Sequence, residues 1–170
     1  DPDEADRTLK RLHEQSLVSI AEIRRLVDDL RPPSLDELGL LSALEEHTQG
    51  ATTAANGARQ PLPIAVLCPA PLPALPAAVE VAAYRIVVEA VNNVSKHAAA
   101  TECTVSIDVG DTLRLVIQDN GVGLDDALRT GVGLVSMSER AAELGGTCTI
   151  TSRPQNGTTV TARLPLKPWN

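Results

Sequence analysis

The sequence predicts a two-layer α/β sandwich, in which a mixed, mainly antiparallel sheet of about five strands carries helices on one face. Two pairs of alternating apolar and polar segments predict hairpins, one turning at Gly110 and Asp111 and the other at residues 154–157. Strand-like and helix-like segments group together along the chain instead of alternating strictly, which favours this arrangement over a doubly wound parallel sheet. A long amphipathic helix is predicted to precede the sandwich.

Residues 3–31 carry the pattern of that first helix. Apolar side chains recur there at alternating steps of three and four, which is typical of a helix that packs against other helices. Pro32 and Pro33 then end the helix, because proline interrupts its hydrogen bonds. An exposed apolar face is unfavourable in water, so we expect this segment to pack against a partner helix in a dimer or to fold back on its own domain.

The rest of the chain follows from its periodicity and its turn residues. Ser34 or Asp36 could cap the next helix. The predicted elements are a helix at 40–55, a strand at 61–68, a helix at 75–98, strands at 103–109 and 113–119, a helix at 132–144, and two closing strands around the 154–157 turn. Gly145 and Gly146 are expected to end the helix at 132–144.

Composition and charge exclude several classes of function. The net charge is −7, and the 170 residues contain no Phe, one Trp and one Tyr. A polyanion would be repelled on average and bases would find few aromatic partners, so we expect no nucleic-acid binding. No apolar run is long enough to span a bilayer, so no membrane contact is expected of this segment. Three widely spaced cysteines without a CxxC pair favour a reducing, cytoplasmic setting over a zinc site.

The tetrapeptide GVGL occurs twice, at residues 121–124 and 131–134. An Asn-Gly pair after Asp119 is compatible with a tight hairpin turn. The residues that follow do not alternate like a returning strand, so we interpret them as a loop that leaves the sheet. Neither repeat matches the GxGxxG dinucleotide pattern, and no GxxxxGK[ST] motif is present. The second repeat leads into a helix, and the free amides of a helix N-terminus suit a phosphate group.

A polar stripe on the helix at 75–98 could complete such a site. Arg85, Glu89, Asn93 and Lys96 follow one another at steps of four, four and three. The alternative is an ordinary solvated face with a weak Arg85–Glu89 ion pair. As a site, an amide oxygen suits hydrated Mg²⁺, a lysine suits phosphate, and a glutamate suits proton transfer.

These segments together resemble a known family. EAVNNVSKHA resembles the N box, DNGVGL and GVGLVSMSER the two glycine boxes, and NGTTV the closing Gly-Thr element of the GHKL, or Bergerat, ATP-binding fold. This fold is shared by sensor histidine kinases, DNA gyrase, Hsp90 and MutL. The resemblance covers about 60–166 with the motifs in the family's order. RRLVDDLRPPSLDELGLLSALEE further resembles bacterial two-component sensor kinases of the NarX, DesK and LiaS type, whose short lid the stretch from Asp119 to Gly131 also matches.

The resemblance implies roles on the base side of the site. Asp119 would accept a hydrogen bond from the adenine amino group, and Thr158 would support it through water. Gly121 and Gly123 would let the backbone approach the base and the sugar.

It also implies roles on the phosphate side. The second glycine box would form the end of the lid and present amides to the phosphates; its four residues are Gly131, Val132, Gly133 and Leu134. Asn93 would bind Mg²⁺, and Lys96 with His97 would neutralise phosphate charge. Glu89 stands where related ATPases keep a general base, and in a kinase it could instead polarise the incoming imidazole.

By the same resemblance, residues 1–31 would be the second helix of a dimerisation and phosphotransfer bundle. Residues 32–42 would be a linker and residues 43–170 the ATP-binding catalytic domain. A homodimer through residues 3–31 and a response regulator are the implied protein partners, and ATP and Mg²⁺ the implied cofactors. The parent protein could be a membrane sensor, with this segment in the cytoplasm.

Neither of two histidines fits the family's phosphoacceptor. His13 lies too close to the RPP element, on the second bundle helix instead of the first, and is followed by Glu14 where an Asp is expected. His47 lies in a short polar helix and is expected at the surface. We therefore predict a histidine kinase region that binds ATP and transfers phosphate to a histidine outside this sequence. A GHKL ATPase, an anti-sigma-type serine kinase and a nucleotide-sensing module without turnover are the alternatives.

Overall fold

A computed structural model describes residues 31–53, 62–69, 71–124 and 132–167. The chain divides into two units, Asp1–Pro33 and Ser34–Asn170. The helix predicted at 3–31, and His13 within it, fall almost entirely outside the described residues, so that helix stays a prediction. The fold below is that of the second unit. Among the described residues, no helix is long and apolar enough to cross a membrane.

The first described helix, α1, spans Pro33–Thr53 and contains a break at Gly39, where φ is 73°. Proline suits the first helical position, so the helix begins before either predicted cap, Ser34 or Asp36. Leu35 and Leu40 lie on the two sides of the break and are both buried in the core. Residues 32–42, which the sequence predicts to be a linker, include the beginning of α1, and their role as a linker stays a prediction. Leu35 and Leu40 pack in the core, whereas Leu38 between them is 48% exposed, and a glycine with positive φ lets the helix change direction before Leu40.

The described residues form a five-stranded sheet in the order β1-β2-β3-β5-β4. Its strands are β1 Ile64–Leu67, β2 Cys103–Val109, β3 Thr112–Asp119, β4 Thr147–Ser152 and β5 Thr158–Pro165. The first two strands pair in parallel and the other three pairings are antiparallel. The predicted mixed, mainly antiparallel sheet and both predicted hairpins are confirmed.

Two further helices cover one face of this sheet. Helix α2, Ala77–Asn93, continues into a π-helical turn, Val94–Ala98, and helix α3 spans Val132–Glu143. Helix α2 packs against β3, β5 and α3. Its apolar side is buried as predicted, at Val79, Ala82, Ile86, Ala90 and the following Val94. The predicted end of α3 is confirmed: Gly145 has φ 71°, and Gly146 N–H donates to the carbonyl of Ala141 at 2.8 Å.

The core lies between the sheet and the helices and is built from aliphatic side chains. Alternate residues of the central strands are buried, among them Val105, Ile107, Leu113, Leu115 and Ile117. His47 corrects one expectation, because it is half-buried instead of exposed. Its ring lies edge-on to Tyr84, with the ring centroids 6.3 Å apart, and burial lowers the pKa of its imidazole. His47 lies on the side of α1 that also carries the buried Ala43, Leu44 and Thr48.

Candidate functional site

A cavity of about 240 Å³ opens between α2, the end of β3, the beginning of α3 and the start of β5. Most of its wall is apolar, and a few polar groups interrupt it. The lining residues are Ala90, Asn93, Val94, His97, Ala98, Ile117, Asp119, Gly123, Leu124, Gly133, Leu134, Thr158 and Val160.

Asp119, the last residue of β3, provides the buried charge of this cavity and is only 5% exposed. Its Oδ1 accepts a hydrogen bond from Gly121 N–H at 2.7 Å, and its Oδ2 accepts one from Thr158 N–H at 3.2 Å. Loss of water raises the pKa of this carboxyl group above its ordinary value, although both backbone hydrogen bonds act in the opposite direction. Each carboxylate oxygen keeps accepting capacity, so the group can take a further donor from the cavity.

The chain leaves the sheet directly after Asp119, as the sequence analysis predicted. Val122 N–H donates to the carbonyl of Ala98 at 2.8 Å, which draws the loop towards the end of the π-helical turn. Gly121 is buried against that carbonyl, and a Cβ atom at this position would collide with it. Gly123 has φ 81°, and its Cβ would collide with the carbonyl of Arg153. Both positions therefore require glycine for the loop to follow this path.

Asn120 fixes the loop from the other side. Its Oδ1 accepts hydrogen bonds from Thr101 N–H at 2.9 Å and from Glu102 N–H at 3.0 Å, and its Nδ2 donates to the Thr101 hydroxyl at 2.9 Å. The π-helical turn ends just before, at Ala99, with φ 48°. The side chain after Asp119 thus holds the segment that carries Lys96 and His97.

One residue of the polar stripe of α2, Asn93, reaches the cavity. Asn93 and His97 line it, whereas Lys96 lies exposed on the same π-helical turn and does not. The π-helical turn thus carries both Lys96 and His97, of which His97 lines the cavity. Turns of this kind occur often at functional sites.

Glu89 lies beside the cavity instead of in its wall. Gly133, the second residue of α3, packs so closely on this carboxylate that a Cβ atom would collide with Glu89 Oε1; the same Cβ would lie 3.5 Å from Asn93 Nδ2. The structure therefore brings Glu89, Asn93 and the beginning of α3 together. A carboxylate near a helix N-terminus is electrostatically favourable.

Most of the predicted site residues meet at one place. Seven of them line the cavity: Asn93, His97, Asp119, Gly123, Gly133, Leu134 and Thr158. Gly121, Glu89 and Lys96 are not part of the lining, but Gly121 packs against Ala98 and Asp119, and Glu89 against Gly133, which are. Gly131 and the side chain of Val132 fall outside the described residues. The roles assigned to all of these residues stay predictions.

Sequence reasoning missed Ser152, the last residue of β4. Its hydroxyl accepts a hydrogen bond from Leu124 N–H at 2.7 Å and donates to the carbonyl of Gly157 at 3.1 Å. The Thr158 hydroxyl lies 3.2 Å away. The sequence contained a signal for this role. The inward-facing positions of this strand are Cys148, Ile150 and Ser152, and a hydroxyl group among apolar side chains needs hydrogen-bond partners.

The chemistry of the cavity suits a purine nucleotide. Apolar walls, formed in part by Val94, Ile117 and Val160, can cover an aromatic ring, and the Asp119 carboxylate can accept a hydrogen bond from an amino group. Among the described residues, no group of three or more acidic, histidine or cysteine side chains could hold a metal by itself. The Asn93 amide oxygen fits a Mg²⁺ ion that takes its other ligands from phosphate and water.

The model of the histidine kinase-, DNA gyrase B- and HSP90-like ATPase family matches residues 78–168. The match covers more than half of the chain, and the chain belongs to this family. The predicted resemblance is confirmed.

Named relatives narrow the comparison. The signal transduction histidine-protein kinase/phosphatase DegS of Brevibacillus brevis is 34% identical over 177 residues, which cover 96% of this chain and 42% of the relative. The sensor histidine kinase LiaS of Bacillus subtilis (strain 168) is 33% identical over 172 residues, or 98% of this chain and 46% of the relative. The chain thus spans less than half the length of these relatives.

Solved structures agree on the fold. The histidine kinase domain of the blue-light activated histidine kinase EL346 from Erythrobacter litoralis gives a TM-score of 0.63 at 20% identity, covering 75% of this chain and 61% of that one. At this identity the likeness establishes the fold alone, and it confirms the predicted sandwich.

Proposed function

We propose that this chain is the ATP-binding catalytic region of a two-component sensor histidine kinase. It binds ATP with Mg²⁺ and transfers the γ-phosphate to a histidine outside this sequence, from which the phosphate passes to a response regulator. The observation that carries the proposal is the buried Asp119 carboxylate in the wall of a mostly apolar cavity that Asn93 and His97 also line. Membership of the ATPase family and the histidine kinases among the relatives support it.

Each end of the cavity has its own task in this proposal. Asp119 accepts a hydrogen bond from the adenine amino group, and the apolar wall excludes water from the base. At the other end Asn93 supplies an amide oxygen to Mg²⁺, which when bound neutralises phosphate charge. Lys96 and His97, on the adjoining π-helical turn, add positive charge near the phosphates. Glu89 is placed beside Asn93 to polarise the incoming imidazole.

The partners belong to the same proposal. Residues 3–31 would pair with a second copy of the chain, and a response regulator would receive the phosphate. A cytoplasmic location of this region also remains part of the proposal. His13 lies too close to the RPP element to be the phosphoacceptor, so phosphate found on His13 after incubation of the chain with ATP would contradict the proposal.

Titration calorimetry with ATP·Mg²⁺, ATP alone and ADP tests the site. Asp119→Asn should weaken binding of all three ligands by about tenfold or more, because a hydrogen bond to a charged acceptor is lost. Asp108→Asn, on the exposed end of β2, is the matched control. Asn93→Ala should reduce mainly the Mg²⁺-dependent part of the affinity, with the neighbouring Asn92→Ala as its control. Unaltered affinity in Asp119→Asn would remove the assignment of the base site.

The transfer step needs the full-length protein. There, ATP should label a histidine that lies outside the 170 residues, and Glu89→Gln should slow labelling while leaving ATP affinity nearly unchanged. Hydrolysis of ATP without labelling of any histidine would favour an ATPase over a kinase.

A further inference from the structure

Ser152 lies at the end of β4, where three groups converge on its hydroxyl oxygen. Leu124 N–H lies 2.7 Å away, the carbonyl of Gly157 at 3.1 Å and the Thr158 hydroxyl at 3.2 Å. Leu124 and Thr158 line the cavity, whereas Ser152 does not. The serine therefore stands behind two cavity residues and contacts both.

The chemistry of the two backbone groups determines the direction of their hydrogen bonds to Ser152. A serine hydroxyl has one proton and two lone pairs. A backbone N–H can only donate, so Leu124 occupies one lone pair, and a carbonyl can only accept, so Gly157 takes the proton. One lone pair remains on Ser152. When the Ser152 proton goes to the Gly157 carbonyl, the Thr158 hydroxyl donates its own proton to Ser152, away from the cavity.

This direction has a consequence for the cavity. With its proton committed to Ser152, the Thr158 hydroxyl can offer only lone pairs to a ligand. Asp119 Oδ2, to which Thr158 N–H donates, is also an acceptor. The same end of the cavity thus presents two acceptors. Adenine carries an amino donor at its 6-position, whereas a 6-oxo purine carries an acceptor there.

We propose that Ser152 is a positioning residue for base selection: it directs the Thr158 hydroxyl so that the site prefers a 6-amino purine over a 6-oxo purine. The inference rests on the proposed function, since it requires that the base lies against Asp119 and Thr158. Asp119 alone already disfavours a 6-oxo group, and Ser152 adds to this preference through Thr158.

The test compares the dissociation constants of ATP·Mg²⁺ and ITP·Mg²⁺, because inosine replaces the 6-amino group with a 6-oxo group. In Ser152→Ala the Thr158 hydroxyl can turn and donate towards the cavity, so the preference for ATP should fall about three- to tenfold. Ser152→Thr keeps a hydroxyl and should restore the preference. Thr149→Ala is the matched control, since Thr149 lies on the same strand and its hydroxyl donates to the carbonyl of Thr161, outside the cavity lining.

A double-mutant comparison isolates the route through Thr158. In a Thr158→Val background, Ser152→Ala should leave the ATP-to-ITP ratio unchanged. Thr158→Val alone should weaken ATP more than ITP, and this remains measurable if Ser152→Ala fails to fold. A stronger loss of ITP than of ATP in Thr158→Val would show that the hydroxyl donates to the ligand, which overturns the proposal.

The outcomes separate this inference from the proposed function. Equal loss of both affinities in Ser152→Ala, with the ratio unchanged, overturns the role in base selection while leaving the nucleotide site intact. Failure of the unmodified chain to bind either nucleotide overturns the proposed function itself.

Discussion

Thr158 donates its backbone N–H to Oδ2 of Asp119 at 3.2 Å, and this bond joins the end of β3 to the start of β5. The two residues are 39 positions apart and meet because the strands are antiparallel neighbours, with Gln118 paired to Thr159. A shift of one residue in this register would turn Thr158 to the other face of the sheet. The base end of the site is therefore held by the sheet, and the predictions below follow from its contacts.

Nucleotide binding should weaken on acidification through Asp119. Burial raises the pKa of this carboxyl group, so it takes up a proton at a higher pH than an exposed aspartate, and the protonated form offers a poorer acceptor to an amino group. Affinity for ADP, measured without Mg²⁺, should thus fall as pH drops towards that raised pKa and stay level above it. Calorimetric titrations over the acidic pH range check this prediction. The control variant Asp108→Asn should show the same dependence of affinity on pH as the unmodified chain.

The free energy of unfolding should rise on acidification through the same carboxyl group, whereas nucleotide affinity falls. A folded-state pKa above the unfolded value means that the folded state binds the proton more tightly, so the contribution of Asp119 is fully present below the unfolded pKa and is lost as pH rises through the folded pKa. As pH falls through this range, the unmodified chain should therefore gain stability relative to Asp119→Asn while its nucleotide affinity decreases. A loss of both together would point to partial unfolding instead.

Gly133→Ala should disturb the phosphate end. The added Cβ would collide with Glu89 Oε1, and moving that side chain is expected to cost about 1–3 kcal/mol of unfolding free energy and to weaken ATP·Mg²⁺ binding. Gly110→Ala is the matched control, because a Cβ there has no atom within 4 Å. Since the obstacle is a side chain, adding Glu89→Ala should restore stability. Denaturant unfolding and ATP titration measure both effects, and a double variant as unstable as Gly133→Ala would contradict this explanation.

Asn120→Ala should loosen the π-helical turn. It removes the hydrogen bonds to Thr101 and Glu102, and, because the site is exposed, the expected loss of stability is only about 1–2 kcal/mol. Nucleotide affinity should fall by more than this loss of stability explains. The reason is that the π-helical turn, which ends just before Thr101, carries Lys96 and His97. Asn156→Ala, in the exposed β4–β5 turn, is the control. Unchanged affinity at reduced stability would limit Asn120 to a structural role.

The Cys103 thiol should resist alkylation in the folded protein. Burial, and to a lesser extent the carboxylate of Asp119, its partner across the strand pair, together raise the pKa of this thiol to about 12. At pH 8 the reactive thiolate is therefore scarce. Mass spectrometry after iodoacetamide treatment should show Cys103 unmodified until denaturant is added, while the half-buried Cys68 reacts earlier. Equal rates for the two thiols in the native protein would contradict the described burial.

Local patterns were sufficient for much of this fold. Period-two alternation placed β2, β3 and β5, and apolar spacing placed the buried side of α2, because each element must bury one face. The glycine pair after α3 predicted the end of that helix, because only glycine adopts a positive φ readily. The segment after Asp119 was assigned to a loop because alternation stops there. The helical break at Gly39 and the burial of His47 were missed, since both depend on what the helix packs against.

The sequence by itself determined the class of protein, the order of its elements and the two sets of polar residues, because periodicity, turn chemistry and motif spacing are properties of neighbouring residues. Only the tertiary structure decided which residues share the cavity. It placed Glu89 against Gly133 instead of in the cavity wall, and it set Ser152 behind Thr158. These contacts join residues far apart in the chain, and strand register and helix packing, which no local pattern specifies, bring them together.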